Sequence, residues 1–289
     1  MASMKEIKRR RGSIQSTKQI TKAMKLVSTV KLQKARQKAE KSKPYFNLIY
    51  ETIASILFKS ANLDHKYLKK NDGKMDAVVA ITSNRGLAGG YNNNIIRLVE
   101  RSFKKEQAFI YSIGKKGKDA LERHGYNIAG DYAEVINEPL YKDAEDITEL
   151  LLKRYEAGEI SAIYIAYTNF KNTVVHIPTL IKLLPLDADE IQSQQKEGDI
   201  STDGAIMNYS PNEEVVLDEI VPQYIASIIF GALQEAAAAE NGARMNAMEN
   251  ATNNADELID KLSLQYNRAR QGAITQELTE IVAGANAIE

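Results

Sequence analysis

The sequence predicts an α/β protein in which long N- and C-terminal helices form an antiparallel coiled coil and enclose a central Rossmann-like α/β domain. Three observations carry this. The two ends have opposite charge, both ends have helical periodicity, and the middle alternates short apolar strands with amphipathic helices. Basic residues outnumber acidic ones by about 15 to 3 in 1–59, where Glu6, Glu40 and Glu51 are the acids. In 212–289 the ratio is about 4 to 13, with Arg244, Lys261, Arg268 and Arg270 the bases. The whole chain sums to zero, which hides this layout. Opposite potentials favour pairing and fix its register more than they add stability.

From Met4 to Phe58 the only glycine is Gly12 and the only proline Pro44. Ile7, Ile14, Thr17, Thr21, Met24 and Ser28 recur at spacings of three, four or seven, and Ile20, Ala23, Val27 and Val30 form a neighbouring row. Together they predict one moderately apolar face on a basic helix. Unbroken, it would measure roughly 80 Å, and Pro44 predicts a kink.

The middle reads in order as strand Met75–Thr82, helix Tyr91–Lys105, strand Ala108–Ile113, helix Lys115–His124, strand Asn127–Ile136, helix Asp143–Tyr155, strand Ile160–Tyr167, and a further strand within Thr173–Leu184. β-Branched apolar runs alternating with helices of this length predict a parallel or mixed sheet covered by helices. The expected organisation is therefore a coil from 1–59 and 212–289, an α/β domain at 74–186, and a polar excursion at 187–211 that returns the chain to the coil.

In the last segment, Met248, Ala251, Ala255, Leu258, Leu262, Gln265 and Ala269 follow the three-four alternation of a coiled-coil seam. The alanine run 236–239 favours helix, whereas Gly231, Gly242 and Gly272 each cost about 1 kcal/mol and mark soft points or close helix–helix contacts. The second helix is longer by about twenty residues, so roughly 30 Å of it should stand alone. Its tip, Ile281 to Ile288, is apolar and nearly uncharged, as if made to sit in a sleeve.

Composition removes several chemistries. There is no cysteine, hence no disulfide, thiolate metal site or cysteine nucleophile. His65, His124 and His176 lie far apart and beside no ligand cluster, so no metal site is expected. No uninterrupted apolar run reaches 18 residues, and the N-terminus has no signal-peptide core, so no membrane insertion is expected.

Ser83-Asn84-Arg85-Gly86-Leu87-Ala88-Gly89-Gly90-Tyr91-Asn92 is a Gly-rich strand-to-helix turn, where α/β folds hold phosphate. It meets neither the G-x-G-x-x-G nor the G-K-[ST] fingerprint, and its plainer reading is a tight turn that contacts another chain. Gly114-Lys115-Lys116-Gly117-Lys118 could hold an anion but reads more simply as a basic helix start. The acids Asp143, Glu145 and Asp146 open a helix and suit its dipole better than acid–base work. No catalytic residue and no cofactor are expected. Lys8-Arg9-Arg10-Arg11 could bind nucleic acid, but its basic face has an acidic partner within the chain and few aromatics for stacking, so nucleic acid is not an expected partner.

Three motifs carry a family resemblance. Ile14 to Ser28 (IQSTKQITKAMKLVS) resembles the N-terminal helix of the gamma subunit of F-type ATP synthase. Ala243 to Ala255 (ARMNAMENATNNA) and Tyr266 to Ile281 (YNRARQGAITQELTEI) resemble its C-terminal helix, and the Ser83–Asn92 loop fits too. The resemblance covers the whole chain in order. It implies a non-catalytic central rotor shaft, whose coil enters a ring of three alpha and three beta subunits. Its globular part would stand with epsilon on the membrane c-ring, at the cytoplasmic face of the plasma membrane as a peripheral protein. Ion flow would turn the shaft and drive ATP synthesis, or hydrolysis in reverse. By motif, Met24 and Lys25 would face a loop of beta, and Arg244, Gln271 and Thr275 would bond beta's catch region. The cysteine pair of chloroplast gammas is missing, which excludes thiol regulation. The coupling ion is not legible.

Overall fold

The computed structural model describes residues 3–59, 65–69, 71–186 and 213–286. The expected excursion at 187–211 and the final tip residues Ala287 and Ile288 lie outside them. The chain divides into two compact units, one made of Met1–Thr29 and Arg244–Glu289, the other of Val30–Ala243.

Within the larger unit a five-stranded sheet has the order β3-β2-β1-β4-β5. The strands are β1 (Met75–Ile81), β2 (Ala108–Ile113), β3 (Asn127–Asp131), β4 (Ile160–Phe170) and β5 (His176–Leu184). β1 pairs in parallel with β2 and β4, β2 in parallel with β3, and β5 closes the edge antiparallel to β4. The sheet is mixed for a simple reason. The link from β4 to β5 is a hairpin, whereas the earlier strands are joined through helices. Both faces of β1 and β4 are covered, which explains their continuous apolar runs.

One face carries Ala77, Val79, Ile81, Ile113, Ile163 and Ile165. It packs on helix α4 (Tyr141–Glu156) through Ile147, Leu151 and Tyr155. The same core takes Ile49, Ile53 and Ile56 from helix α1 (Met4–Lys59), and Leu217, Val221, Ile225, Ile229 and Leu233 from helix α5 (Glu213–Asn286). The opposite face, with Val78, Ala80, Ile110 and Ala166, meets Ile95 and Val99 of α2 (Tyr91–Ser102) and Leu121 of α3 (Lys115–Arg123). Each fully buried aliphatic side chain contributes about 1.5–3 kcal/mol.

Some elements are shorter or longer than the sequence suggests. Helix α2 stops at Ser102 and β3 at Asp131, each followed by a short 3-10 turn, at Lys105–Gln107 and Val135–Asn137. Helix α4 starts two residues earlier than expected, at Tyr141, and Asp143 accepts the Leu140 N–H at 2.9 Å as its cap. Helix α1 continues through Pro44 and α5 through Pro222. Although it has no uninterrupted apolar run, α5 does contain an 18-residue window apolar enough, by length and composition, to cross a membrane, with a mean hydropathy of 1.5 and 39% burial. The i, i+4 stripe from Leu217 to Leu233, buried on the sheet, accounts for apolarity of this kind.

In the smaller unit the two helices run antiparallel. Contacts step down α5 as they step up α1: Arg11 lies over the Tyr266 ring at 5.6 Å, Lys18 pairs with Asp256, Thr21 Oγ1 meets Thr252 Oγ1 at 2.8 Å, and Lys25 pairs with Glu249 at 2.7 Å. Basic residues on α1 thus meet acidic ones on α5, as the charge layout predicts.

The phase of the seam needs correction. On α1 the covered positions include the strict four-three series Ile7, Arg11, Ile14, Lys18, Thr21, Lys25 and Ser28, flanked by partly covered Glu6 and Thr29. Met24 is half-buried beside it. Thr17 is exposed, and so is the second row, with Ile20, Val27 and Val30 all more than half exposed. Lysine and arginine stems fill the seam instead, laying methylenes along it with their charges at the rim. On α5 the series is Met248, Thr252, Ala255, Ile259, Leu262, Tyr266 and Ala269. Leu258 and Gln265 are exposed and Ala251 is half-buried, so the expected alternation is right at Met248, Ala255, Leu262 and Ala269 and one residue early between them. From Arg270 to Ala283 every side chain is exposed.

Candidate functional site

In a doubly wound sheet, ligands bind beyond the carboxyl ends of the strands, where the strand order reverses. Here that point lies between β1 and β4. It is filled by the chain itself. Ala88 and Tyr91, from the Gly-rich loop and the start of α2, and Phe170, at the end of β4, pack against Ala239 and Ala243 of α5. The Tyr91 hydroxyl donates to the Ala236 carbonyl at 3.2 Å. Ala236 and Ala239 are fully buried here, and their small side chains permit this approach. At Gly242 an added Cβ would lie 2.8 Å from His176 Nε2 and 3.3 Å from the Phe170 ring. The sequence predicts a soft point or a close helix–helix contact at Gly242; the close neighbour is instead the β4–β5 hairpin.

The anion reading fails on geometry at the next loop. Asn84 Oδ1, the Ser83 carbonyl and Thr82 Oγ1 accept the N–H groups of Lys115, Lys116 and Gly117 at 3.0, 3.0 and 2.9 Å. Those are the amides a phosphate would need. Gly114 has φ +101, and a Cβ there would sit 2.2 Å from the Thr82 carbonyl oxygen, so the two loops touch with nothing between them. The Gly-rich loop is further closed by Asn92 Oδ1, which accepts the Ser83 N–H at 2.9 Å. Thr82 entered the sequence reading only as a strand end and Asn84 only as part of the Gly-rich loop, because their partners lie about thirty residues away.

Among the described residues no three His, Asp or Glu side chains gather as a metal site. His176 packs on Phe170, its Nε2 is buried without a hydrogen-bond partner, and burial holds its pKa below 6.5. His65 is buried beside Asp218.

The chain matches the family described as ATP synthase over residues 3–288. It is 59% identical to the ATP synthase gamma chain of Lachnoclostridium phytofermentans, over 100% of both chains. The chain belongs to the ATP synthase gamma family. Another gamma relative, the sodium ion specific gamma chain of Acetobacterium woodii, is 40% identical with 99% of each chain covered. Among solved structures, a chain of the Euglena gracilis mitochondrial ATP synthase superposes with a TM-score of 0.64 at 19% identity, covering 98% of this chain and 94% of that one. A central stalk/c-ring structure from Tetrahymena thermophila gives 0.59 at 24% identity, covering 80% of this chain and 99% of the other. At these identities the structural likeness speaks for the gamma fold.

The residues carried over from the gamma motifs all lie within the smaller unit. Lys25 sits in the seam, where its Nζ donates to Glu249 Oε1 at 2.7 Å, and Met24 is half-buried beside it. Arg244 is half-buried. Gln271 and Thr275 lie one turn apart on exposed helix, and the Thr275 hydroxyl donates to the Gln271 carbonyl at 2.9 Å.

Proposed function

We propose that this gamma-family chain is the central rotor shaft of an F-type ATP synthase, a non-catalytic subunit that couples ion-driven rotation of a c-ring to ATP synthesis or hydrolysis elsewhere. The observation that carries this reading is the antiparallel pairing of basic α1 with acidic α5, followed by a stretch of α5 from Arg270 to Ala283 that no other described residue covers. Apolar Ile274, Leu278, Ile281 and Val282 are exposed there, a surface that suits a surrounding sleeve. The segments 1–59 and 212–289 would be the shaft and 74–186 the part that meets the ring. The partners would be three alpha and three beta subunits around the coil, with epsilon and the c-ring at its foot. The protein would be peripheral, at the cytoplasmic face of the plasma membrane, with no inserted segment and no cofactor. The filling of the β1–β4 crevice by α5 supports a mechanical role over nucleotide binding. Met24 and Lys25 would face beta on one side of the coil, and Arg244, Gln271 and Thr275 would bond beta's catch region.

Reconstitution with alpha, beta, epsilon and the c-ring tests this. Deleting the last dozen residues should weaken coupling while leaving ATP turnover, since no catalytic group is lost. Coupling indifferent to gross changes in the coil's charge and register would refute the reading.

A further inference from the structure

The described residues between α1 and β1 include a short strap, His65–Lys69, that ties three other elements together. The Tyr67 carbonyl accepts the N–H of Leu186, just past β5, at 2.8 Å. The Lys69 carbonyl accepts the Tyr155 hydroxyl of α4 at 2.7 Å, and the Tyr67 hydroxyl donates to Glu156 at 2.8 Å. Lys66 Nζ then bridges Glu156, the last residue of α4, at 2.8 Å and Asp218, near the start of α5, at 2.9 Å. His65 Nδ1 accepts the Tyr67 N–H at 3.3 Å, which turns Nε2 toward the same Asp218 oxygen, also at 3.3 Å. His65 and Tyr67 are buried, while Lys66, Glu156 and Asp218 are about half exposed. Burial opposes charge on Lys66, but its two carboxylate partners outweigh that and push its pKa up. The hydrogen bond from Lys66 holds Glu156 below the usual carboxylate range.

In its first turns on the sheet, α5 buries the aliphatic side chains Leu217, Val221 and Ile225, and hydrogen bonds to the α/β unit, through Ser227, Gln234 and Ala236, come further along. Aliphatic contacts resist separation but are non-directional, and set the helix's rotation about its own axis only through side-chain shape. Asp218 is different. It adjoins buried Leu217, and its carboxylate accepts a hydrogen bond from Lys66 and lies 3.3 Å from His65 Nε2, both on a strap that is itself fixed to α4 and to the exit of β5. Charge-assisted hydrogen bonds are directional. We propose that this clasp sets the rotational position of α5 where it joins the α/β unit, making Lys66 and Asp218 positioning residues for torque transfer; this rests on the rotor reading above. Half-exposed ion pairs add little stability, so removing them should leave the fold intact and show in mechanics.

The test uses Lys66→Met and Asp218→Asn in the reconstituted complex in sealed vesicles, with Lys66→Arg as the conservative variant. ATP hydrolysis without an opposing gradient should stay within about twofold of wild type. Ions pumped per ATP against a building gradient should fall about threefold or more, with Lys66→Arg largely restoring them. In the full chain, amide exchange at 65–69 and 214–221 should quicken about tenfold in the two disruptive variants. Unchanged pumping ratios beside a coupled wild type would overturn the clasp's role, whether or not exchange quickens. A wild-type complex that hydrolyses ATP without pumping would overturn the rotor reading and this inference with it.

Discussion

Helix α5 lives two lives. Up to Ala243 it is a core element, with Leu217, Val221, Ile225, Ile229, Leu233 and Ala236 fully buried. From Arg244 on, full burial is confined to Met248 and Ala255 among the described residues, and beyond Ala269 there is none. One helix can therefore be strongly anchored in one unit and thinly paired in the other. Propensity holds the second part helical and polar register contacts orient it, whereas the first is held by a wide apolar face. The lesson is that burial gives the anchor strength while spacing and charge give the coil its register.

The comparison predicts unequal costs. Leu233→Ala should destabilise by about 2–5 kcal/mol, whereas Met248→Ala should cost about 1–2 kcal/mol, both read from urea unfolding followed by helical circular dichroism. Equal costs would break the distinction. The glycines sharpen it further, because the same change should carry opposite signs. Gly242→Ala puts a Cβ 2.8 Å from His176 Nε2 and should cost about 1–3 kcal/mol. Gly272→Ala meets nothing within 4 Å and should stabilise the helix by about 0.5–1 kcal/mol in the same assay.

His176 adds a pH dependence to the anchored unit alone. Burial holds its pKa below 6.5, so the unfolded chain takes up the proton first. Stability should be intact above about pH 6.5 and decline as pH falls below it. His176→Phe should flatten that part of the profile in thermal melts between pH 7.5 and 5. The smallest effect belongs to the coil, where Lys25→Ala removes the pair with Glu249 and should cost about 0.2–1 kcal/mol, less at high salt.

Much of the fold was legible because period and punctuation agree. The runs MDAVVAI and AFIYSI are buried on both faces, and strands of that kind have few other readings. The coil's existence was legible in the opposite charge of its ends, and its antiparallel direction in a topology that puts one domain between them. Its phase was not. Ile20, Val27 and Val30 look like core by apolarity, yet the seam runs through Lys18, Thr21 and Lys25, whose suitability comes from stem length and facing acids. Phase is a property of the pair, and neither helix records it alone. The closing of the Gly-rich loop was illegible for a related reason. Thr82 and Asn84 are ordinary residues until the fold brings Gly117 and Lys115 to them. The clue that was present is the small-residue run Ala236–Ala239 with Gly242, which announces a close neighbour without naming it.

A tethered occupant never leaves the vicinity of its pocket. Because the segment filling the space beyond β1 and β4 belongs to the same polypeptide as the pocket, a free nucleotide would compete with something held at an effective concentration on the order of millimolar or more. Dilution cannot empty that seat and dialysis cannot strip it. Any variant meant to give this domain a soluble ligand would first have to evict its own backbone.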